Sequence, residues 1–216
     1  MLTLFEEILL LSIHQDKGTF IGWTIDRINS GLMGAVLADL AMMGKIQTNH
    51  NHRLEIVDDN PTEDEILNEI LNNLKESEKE RKFGYWIGSL NQKPDKLRKL
   101  VIERLIVKGM VVQEDDHLEW VIPSPLQPQV NTSAKNWASQ RLRGIVLAQE
   151  AFDERDIALF SLLRACNLLD LIFLKDERRL ASQRINEMVV NAAMKDPGLQ
   201  TVEEIESALA TVVEDD

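Results

Sequence analysis

A mainly α-helical fold, arranged as a single compact helical domain with one or two small β-hairpins, is predicted by three features of this sequence. Apolar residues recur at helical spacing along most of the chain. Two of the helical segments end at a glycine, Gly44 and Gly109. After each glycine come two short stretches in which apolar and polar residues alternate around a polar turn, which is the pattern of two paired strands.

The length and composition of the chain favour one domain with its own core. The chain has 216 residues, of which 44% are hydrophobic. We assign residues 1–195 to the main domain. The break at Asp196-Pro197-Gly198 separates it from an acidic C-terminal helix at 196–216, which is either part of the same domain or appended to it.

The first helix is predicted within residues 2–13, a segment that is apolar but too short to span a bilayer. We interpret it as a core helix. Its two carboxylates, Glu6 and Glu7, are adjacent and therefore point in different directions, which does not suit paired acid–base catalysis. Both are interpreted as helix-surface residues.

A second helix ending at Gly44 is predicted, followed by strands at 45–48 and 53–57. Between these strands, His50 and His52 occupy alternate positions, which would place them on one face as a pair of metal ligands. No third ligand lies nearby in the sequence. We therefore interpret the two histidines as part of a polar turn and predict no metal site.

The order of helix, glycine and hairpin recurs after a further helix whose predicted N-cap is Thr62. A helix ends at Gly109, and residues 110–121 are predicted to form an antiparallel pair with residues 114–116 at or near its tip. The two copies correspond at three pairs of positions: Leu40 and Leu105, Gly44 and Gly109, Ile46 and Val111. A glycine-terminated helix followed by a hairpin is also typical of winged-helix domains.

The rest of the chain is helical in period from 131 to 194, and a helix that is apolar on more than one side is predicted around residues 159–172. Cys166, the only cysteine, lies in this buried segment and is interpreted as a core residue. Because no internal disulfide can form, a reducing, cytoplasmic location is predicted. A last acidic amphipathic helix is expected at 201–213.

The formal net charge of −12 opposes broad attraction to nucleic acid or to anionic lipid. One basic strip, between residues 93 and 108, interrupts this acidic character, and its plain interpretation is the solvated face of a helix. The sequence contains no glycine-rich phosphate loop, zinc-ligand spacing or nucleophile elbow. The chain is therefore predicted to be non-enzymatic, without a cofactor and without nucleic acid as a partner.

Several blocks of the sequence, in order and with few gaps from residue 2 to about residue 190, resemble the Golgi phosphoprotein 3 family. These blocks are 2–11, 29–34, 37–46, 104–111 and 158–170. The resemblance implies a mostly helical domain with a projecting hairpin, in a shorter member that lacks the basic N-terminal arm. In eukaryotic members this domain binds phosphatidylinositol 4-phosphate through one tryptophan and three basic residues. The hairpin of these members contacts the membrane, and the domain links Golgi enzymes to a vesicle coat.

The resemblance carries these lipid-binding positions over one by one. The tryptophan falls at Trp23 or Thr24, and the three basic positions fall at Met33, Asp95 and Arg98. Only Arg98 keeps a positive charge, so two of the three phosphate-holding charges are missing and one of them is reversed. Because each charge-assisted hydrogen bond contributes about 1.5–3 kcal/mol, we expect lipid binding to be weak.

The resemblance thus implies a lipid site with Trp23 and Arg98 on one face, close enough to share a ligand. Arg27, Lys96 and Lys99 are neighbouring cations that could replace the missing charges. The turn at 114–116 would present carboxylates to an anionic membrane, which opposes insertion. The membrane-facing edge of the hairpin would consist of Leu118, Trp120 and Val121.

Two functions are open at this point. The first is a peripheral membrane module that binds phosphatidylinositol 4-phosphate or another anionic head group, with a degraded lipid site. The second is a soluble protein-interaction or scaffolding module with the same fold and no lipid binding, which contacts a protein partner or itself through the hairpin at 110–121. A winged-helix nucleic-acid binder is disfavoured, because the acidic field repels phosphate and the basic strip precedes the wing.

Overall fold

The computed structural model describes residues 2–13, 25–77, 79–90, 94–114, 117–120 and 134–215. Within these ranges the chain forms nine α-helices and four short strands. The helices are α1 (Leu4–Ser12), α2 (Ile25–Met42), α3 (Glu65–Lys75), α4 (Phe83–Leu90), α5 (Pro94–Val107), α6 (Ala134–Ala148), α7 (Glu154–Ala165), α8 (Arg178–Ala193) and α9 (Pro197–Asp215). The predicted mainly α-helical fold with small hairpins is confirmed.

The first hairpin follows α2. Strand β1 (Ile46–Thr48) pairs antiparallel with β2 (Leu54–Ile56), and Ile46 lies opposite Ile56. The turn between them contains His52 at a φ of 55°. Ile46 and Thr48 share a face of β1 because they are two positions apart, and Leu54 lies opposite Thr48 on the same face. The buried Ile46 and Leu54 therefore pack the hairpin against the helices, while its turn stays exposed.

The second hairpin follows α5, within the predicted range. Strand β3 (Val111–Glu114) pairs antiparallel with β4 (His117–Trp120), and Glu114 lies opposite His117 at the end of the ladder. This register confirms the predicted antiparallel pair. The predicted tip residues Asp115 and Asp116 lie outside the described residues.

Gly44 ends α2 by adopting a left-handed conformation, with a φ of 68°. Its amide donates to the carbonyl of Ala41 at 2.9 Å, and the amide of Lys45 donates to the carbonyl of Leu40 at 2.9 Å. These two bonds are those of a Schellman cap, which satisfies carbonyls that a helix end otherwise leaves unpaired.

Gly109 ends α5 in the same way, with a φ of 66°. Its amide donates to the carbonyl of Ile106 and the amide of Met110 donates to that of Leu105, both at 2.9 Å. The superposition proposed from the sequence is therefore reproduced in the hydrogen bonds of both caps. Two copies of one local unit, a capped helix leading into a hairpin, are built into the fold.

The core is built around α1, in which every residue is buried. It packs against α2, α5, α6 and α7. The predicted helical stretch at 131–194 divides into α6, α7 and α8, and α7 is buried on several sides as expected for a central helix. Helix α9 packs against α2, α4 and α7 and adds four buried side chains to the core: Leu199, Val202, Ile205 and Leu209.

One predicted helix start is wrong, and the last helix begins earlier than its amphipathic stretch at 201–213 indicated, although within the range 196–216 assigned to the C-terminal helix. The N-cap of α3 is Asp64, not Thr62, and the Asp64 carboxylate accepts from the amides of Ile66 and Leu67 at 2.9 and 3.2 Å. A carboxylate at the N-cap reaches both first-turn amides, which explains the later start. The last helix begins at Pro197 rather than at 201, because proline is well suited to the first helical position.

Cys166 caps the C-terminus of α7 and is fully buried, as predicted for a core cysteine. Burial raises the pKa of its thiol to about 12, against the opposing effect of the Arg27 charge. The thiolate is the reactive form of cysteine, so this side chain behaves as a small apolar residue.

A matched pair of substitutions tests the capping role of Gly44. Gly44→Ala places a side chain on a left-handed residue and should lower the free energy of unfolding by about 1–2 kcal/mol. Gly88→Ala, within α4 where an added Cβ meets open space, should instead raise it by about 0.5–1 kcal/mol. Urea unfolding of the three proteins measures both effects, and a shift of equal sign would contradict the assigned cap.

Candidate functional site

Arg98, the one position of the expected lipid site that carries a positive charge here, lies on α5 and reaches across to α2. Its Nη1 donates to Oδ1 of Asn29 at 2.6 Å, and its Nη2 donates to the carboxylate of Asp95. The Arg98 side chain is only 17% exposed. A carboxylate and an amide of the chain itself thus engage both ends of the guanidinium that would meet a phosphate.

Met33, which was expected at the first of the three basic positions, lies one turn beyond Asn29 on α2 and is 2% exposed. It lines a cleft of about 420 Å³ between α2, α3, α4 and α5. Most of the other lining is apolar, including Ile66, Leu97 and Leu100. The position that would carry a phosphate-binding cation therefore presents an uncharged side chain to a cleft that Glu69 and Lys96 also line.

The basic strip on α5 is paired with carboxylates along its described length. Every lysine and arginine between residues 94 and 108 has a carboxylate within 4.0 Å. The pairs are Lys96 with Glu69, Arg98 with Asp95, Lys99 with Glu103, Arg104 with Asp64, and Lys108 with Glu6. The strip is thus a series of ion pairs that ties α5 to α1 and α3.

The remaining residues of the expected lipid site are only partly placed. Trp23 and Val121 lie outside the described residues, so a shared site of Trp23 and Arg98 stays a prediction. Arg27 is half-buried in α2, close enough to the Cys166 thiol to influence its ionisation. In β4, Leu118 lies opposite Gln113 and Trp120 opposite Val111.

The two histidines lie in the exposed turn of the first hairpin, where the sequence analysis placed them. His52 Nδ1 is 2.6 Å from Oε1 of Glu204 on α9, and His50 Nε2 is 3.0 Å from the Asn51 side-chain amide. In the part of the chain that the structure describes, no group of three histidine, cysteine or acidic residues could hold a metal ion.

Glu6 is buried rather than on the surface, so that prediction is wrong. Its side chain has no exposed area, accepts from Lys108 Nζ at 2.6 and 2.7 Å, and accepts from the Thr3 amide at 2.8 Å. The last of these bonds belongs to a capping box at the start of α1. Glu6 therefore joins α1 to the end of α5.

Glu7 is also buried, contrary to the prediction. Its Oε1 accepts from Arg141 on α6 at 2.6 Å and its Oε2 accepts from Arg155 on α7 at 2.7 Å. The sequence did contain one signal for this burial: a helix with apolar residues on all sides leaves no solvated face for a carboxylate. The identity of the two arginines, far along the chain, carried no local signal.

Asp39 is a third buried carboxylate near α1. Projecting from α2, its Oδ2 accepts from the amides of Leu4 and Phe5 at 2.9 and 3.4 Å, at the N-terminus of α1. Burial raises the pKa of the Asp39 carboxyl to about 7, although the Leu4 amide and the Arg155 charge act to lower it. None of the three carboxylates is both exposed and free of partners, as a general base would need to be.

A family model described as Golgi phosphoprotein 3 matches residues 4–209. The chain belongs to the Golgi phosphoprotein 3 family. The match covers α1 through most of α9, so it includes both hairpins and the cleft beside Arg98.

One curated protein similar to this Golgi phosphoprotein 3 family chain is the Vacuolar protein sorting-associated protein 74 of Eremothecium gossypii. The two are 26% identical over 205 residues, which cover 79% of this chain and 61% of that protein. The chain therefore spans about three fifths of the length of this relative. Among the described residues, none of the helices has the length and apolar character needed to cross a membrane.

The ionisation of Asp39 predicts a specific pH dependence of stability. Its carboxyl has a pKa of about 7 in the folded protein against an ordinary value of 3.8, so between these pH values the folded state holds a proton that the unfolded chain releases. The Asp39 contribution to stability is therefore fully present below pH 3.8 and declines as the pH rises towards 7. The slope should approach about 1.4 kcal/mol per pH unit.

Asp39→Asn keeps an oxygen acceptor for the α1 amides but cannot titrate. Urea unfolding of this variant from pH 5 to pH 8 should lack the component of slope that the unmodified protein shows, while Asp176→Asn, at an exposed position, should keep it. Parallel curves for Asp39→Asn and the unmodified protein would show that the Asp39 carboxyl is ionised throughout.

Proposed function

We propose that this chain is a non-enzymatic, cytoplasmic module that attaches peripherally to membranes, through a degraded site for phosphatidylinositol 4-phosphate or a similar anionic head group. Family membership supports the binding role, and the contacts of Arg98 support the degradation. Any head group at Arg98 has to compete with the Asp95 carboxylate, which already engages the guanidinium.

The contacts of Arg98 carry this proposal. A phosphate is bound best by a guanidinium that can offer two parallel donors. Here one terminal nitrogen donates to Asn29 and the other to Asp95. An anion at Arg98 therefore competes with Asn29 and Asp95 for the guanidinium, which lowers the net free energy of binding at this position.

The surroundings of Arg98 add little compensating charge. Lys96 and Lys99 pair with Glu69 and Glu103, and Met33 supplies no charge to the cleft. Pairs this exposed are weak and can rearrange around a head group. The remaining attraction between the protein and an anionic head group then comes mostly from surface charges. Salt weakens this attraction, because the screening length is about 10 Å at 0.1 M ionic strength.

A charge-matched pair of variants tests the role of Asp95. Asp95→Asn releases Arg98 from its carboxylate and should strengthen binding to vesicles containing phosphatidylinositol 4-phosphate by about two- to fivefold, because an exposed ion pair is worth at most about 1 kcal/mol. Asp95→Arg should strengthen it further. Asp176→Asn removes the same charge at an exposed position before α8 and should leave binding unchanged. Vesicle sedimentation at two salt concentrations measures all four proteins.

Three outcomes would contradict the proposal in different ways. Tight, salt-resistant binding by the unmodified protein would mean that other residues form an intact anion site. Equal gains from Asp95→Asn and Asp176→Asn would mean that net charge alone controls binding. No binding by any variant would favour the second function, a protein-interaction or scaffolding module with the same fold.

A further inference from the structure

A second concave surface lies away from Arg98, between the first hairpin, α4 and α9. This α4–α9 groove has a volume of about 860 Å³, which is in the range of ligand sites. One wall is the hairpin turn with the segment that leads into α4, and the other is the final part of α9. The lining residues that matter here are Arg53, Arg81, Lys82, Tyr85, Ala208 and Val212.

The two carboxylates that line the α4–α9 groove are engaged by the hairpin turn. Glu80 Oε2 accepts from the side-chain amide of Asn49 at 2.9 Å, and Glu204 Oε1 lies 2.6 Å from Nδ1 of His52. These contacts hold the turn against α9 and against the start of α4. Both carboxylates therefore already have partners within the groove wall.

The three cationic side chains of the groove have no such carboxylate partners. Arg53 Nη1 donates to the backbone carbonyl of Glu80 at 3.2 Å, and the Arg81 guanidinium lies over the Tyr85 ring, 4.8 Å from its centroid. Within the described ranges, neither arginine nor Lys82 forms an ion pair. This differs from α5, where each described cation has a carboxylate.

Between the cations the groove surface is largely apolar. Ala208 and Val212 present one side of α9 to it, and Phe83 closes its base. Tyr85 is 51% exposed and stands edge-on to Trp86, with a centroid separation of 5.4 Å. Arginine and tyrosine over an apolar surface are the residues that contribute most to protein recognition.

We propose that the α4–α9 groove binds an acidic peptide segment of a partner protein, one that carries at least two carboxylates next to a large apolar side chain. The carboxylates pair with Arg53, Arg81 and Lys82, and the apolar side chain lies on Ala208 and Val212. Three clustered cations, without ion pairs among the described residues and on a chain of net charge −12, are complementary to the carboxylates of such a segment. A concave groove also suits a peptide better than a bilayer, whose surface is broad and flat.

The experiment selects peptides without presupposing their sequence. Random twelve-residue peptides displayed on phage are selected on the purified chain, and an enriched peptide is synthesised with a fluorescent label for anisotropy. Enriched peptides should be acidic and contain a large apolar residue. The triple variant Arg53→Gln, Arg81→Gln, Lys82→Gln should weaken binding at least tenfold, and raising the salt should weaken it as well.

Two controls keep the result specific. The variant Lys175→Gln, Arg179→Gln, Lys195→Gln removes three charges from exposed positions around α8 and should bind as the unmodified protein does. Ala208→Trp fills the groove without changing charge and should weaken binding, while circular dichroism checks that both variants fold.

Several results would overturn the proposal. They are a selection without enrichment, enrichment of neutral or basic peptides, or equal loss in the two charge variants. Loss of vesicle binding in the groove variant, without any peptide binding, would assign the cations to a membrane instead. Because the peptide measurements contain no lipid, their outcome is independent of the site at Arg98.

Discussion

The fold depends on the burial of α1 together with three carboxylates. A helix that is surrounded on all sides by other helices has no solvated face, so Glu6 and Glu7 must find cations inside the protein, and Asp39 replaces solvent at the first amides of α1. A buried charge without a partner costs several kcal/mol. The charges of Glu6 and Glu7 are therefore neutralised by three cations: Lys108, Arg141 and Arg155. These ion pairs hold the end of α5, α6 and α7 against α1.

Local rules predicted most of the architecture, and they failed where a partner was distant in sequence. Gly44 and Gly109 marked two helix ends correctly, because a left-handed cap is a property of a few consecutive residues. The burial of Glu6 and Glu7 was missed, because their partners lie 102 to 148 residues away. The N-cap of α3 was misplaced by two positions, since Thr62 and Asp64 are both good caps in isolation.

In the candidate sites, too, local features were predicted and contacts between separate elements were not. Resemblance to relatives could indicate that Arg98 was the one retained cation, but it could not indicate that Asp95, three residues earlier, engages it. The α4–α9 groove was not predicted at all. Its cations come from Arg53 and from the segment before α4, and its other wall comes from α9, so no single stretch of sequence contains a recognisable pattern. Assembly of the groove is a consequence of how α4 and α9 pack.

The distance between α1 and its cations has a consequence for synthesis of the chain. Glu7 is translated 134 residues before Arg141 and 148 residues before Arg155. Until those arginines leave the ribosome, α1, which is fully buried in the folded protein, carries a charge that has no partner and opposes its burial. A nascent chain of this length spends several seconds in that state at roughly 5–20 residues per second. The apolar side chains of α1 therefore stay without their native cover until the second half of the chain has been translated.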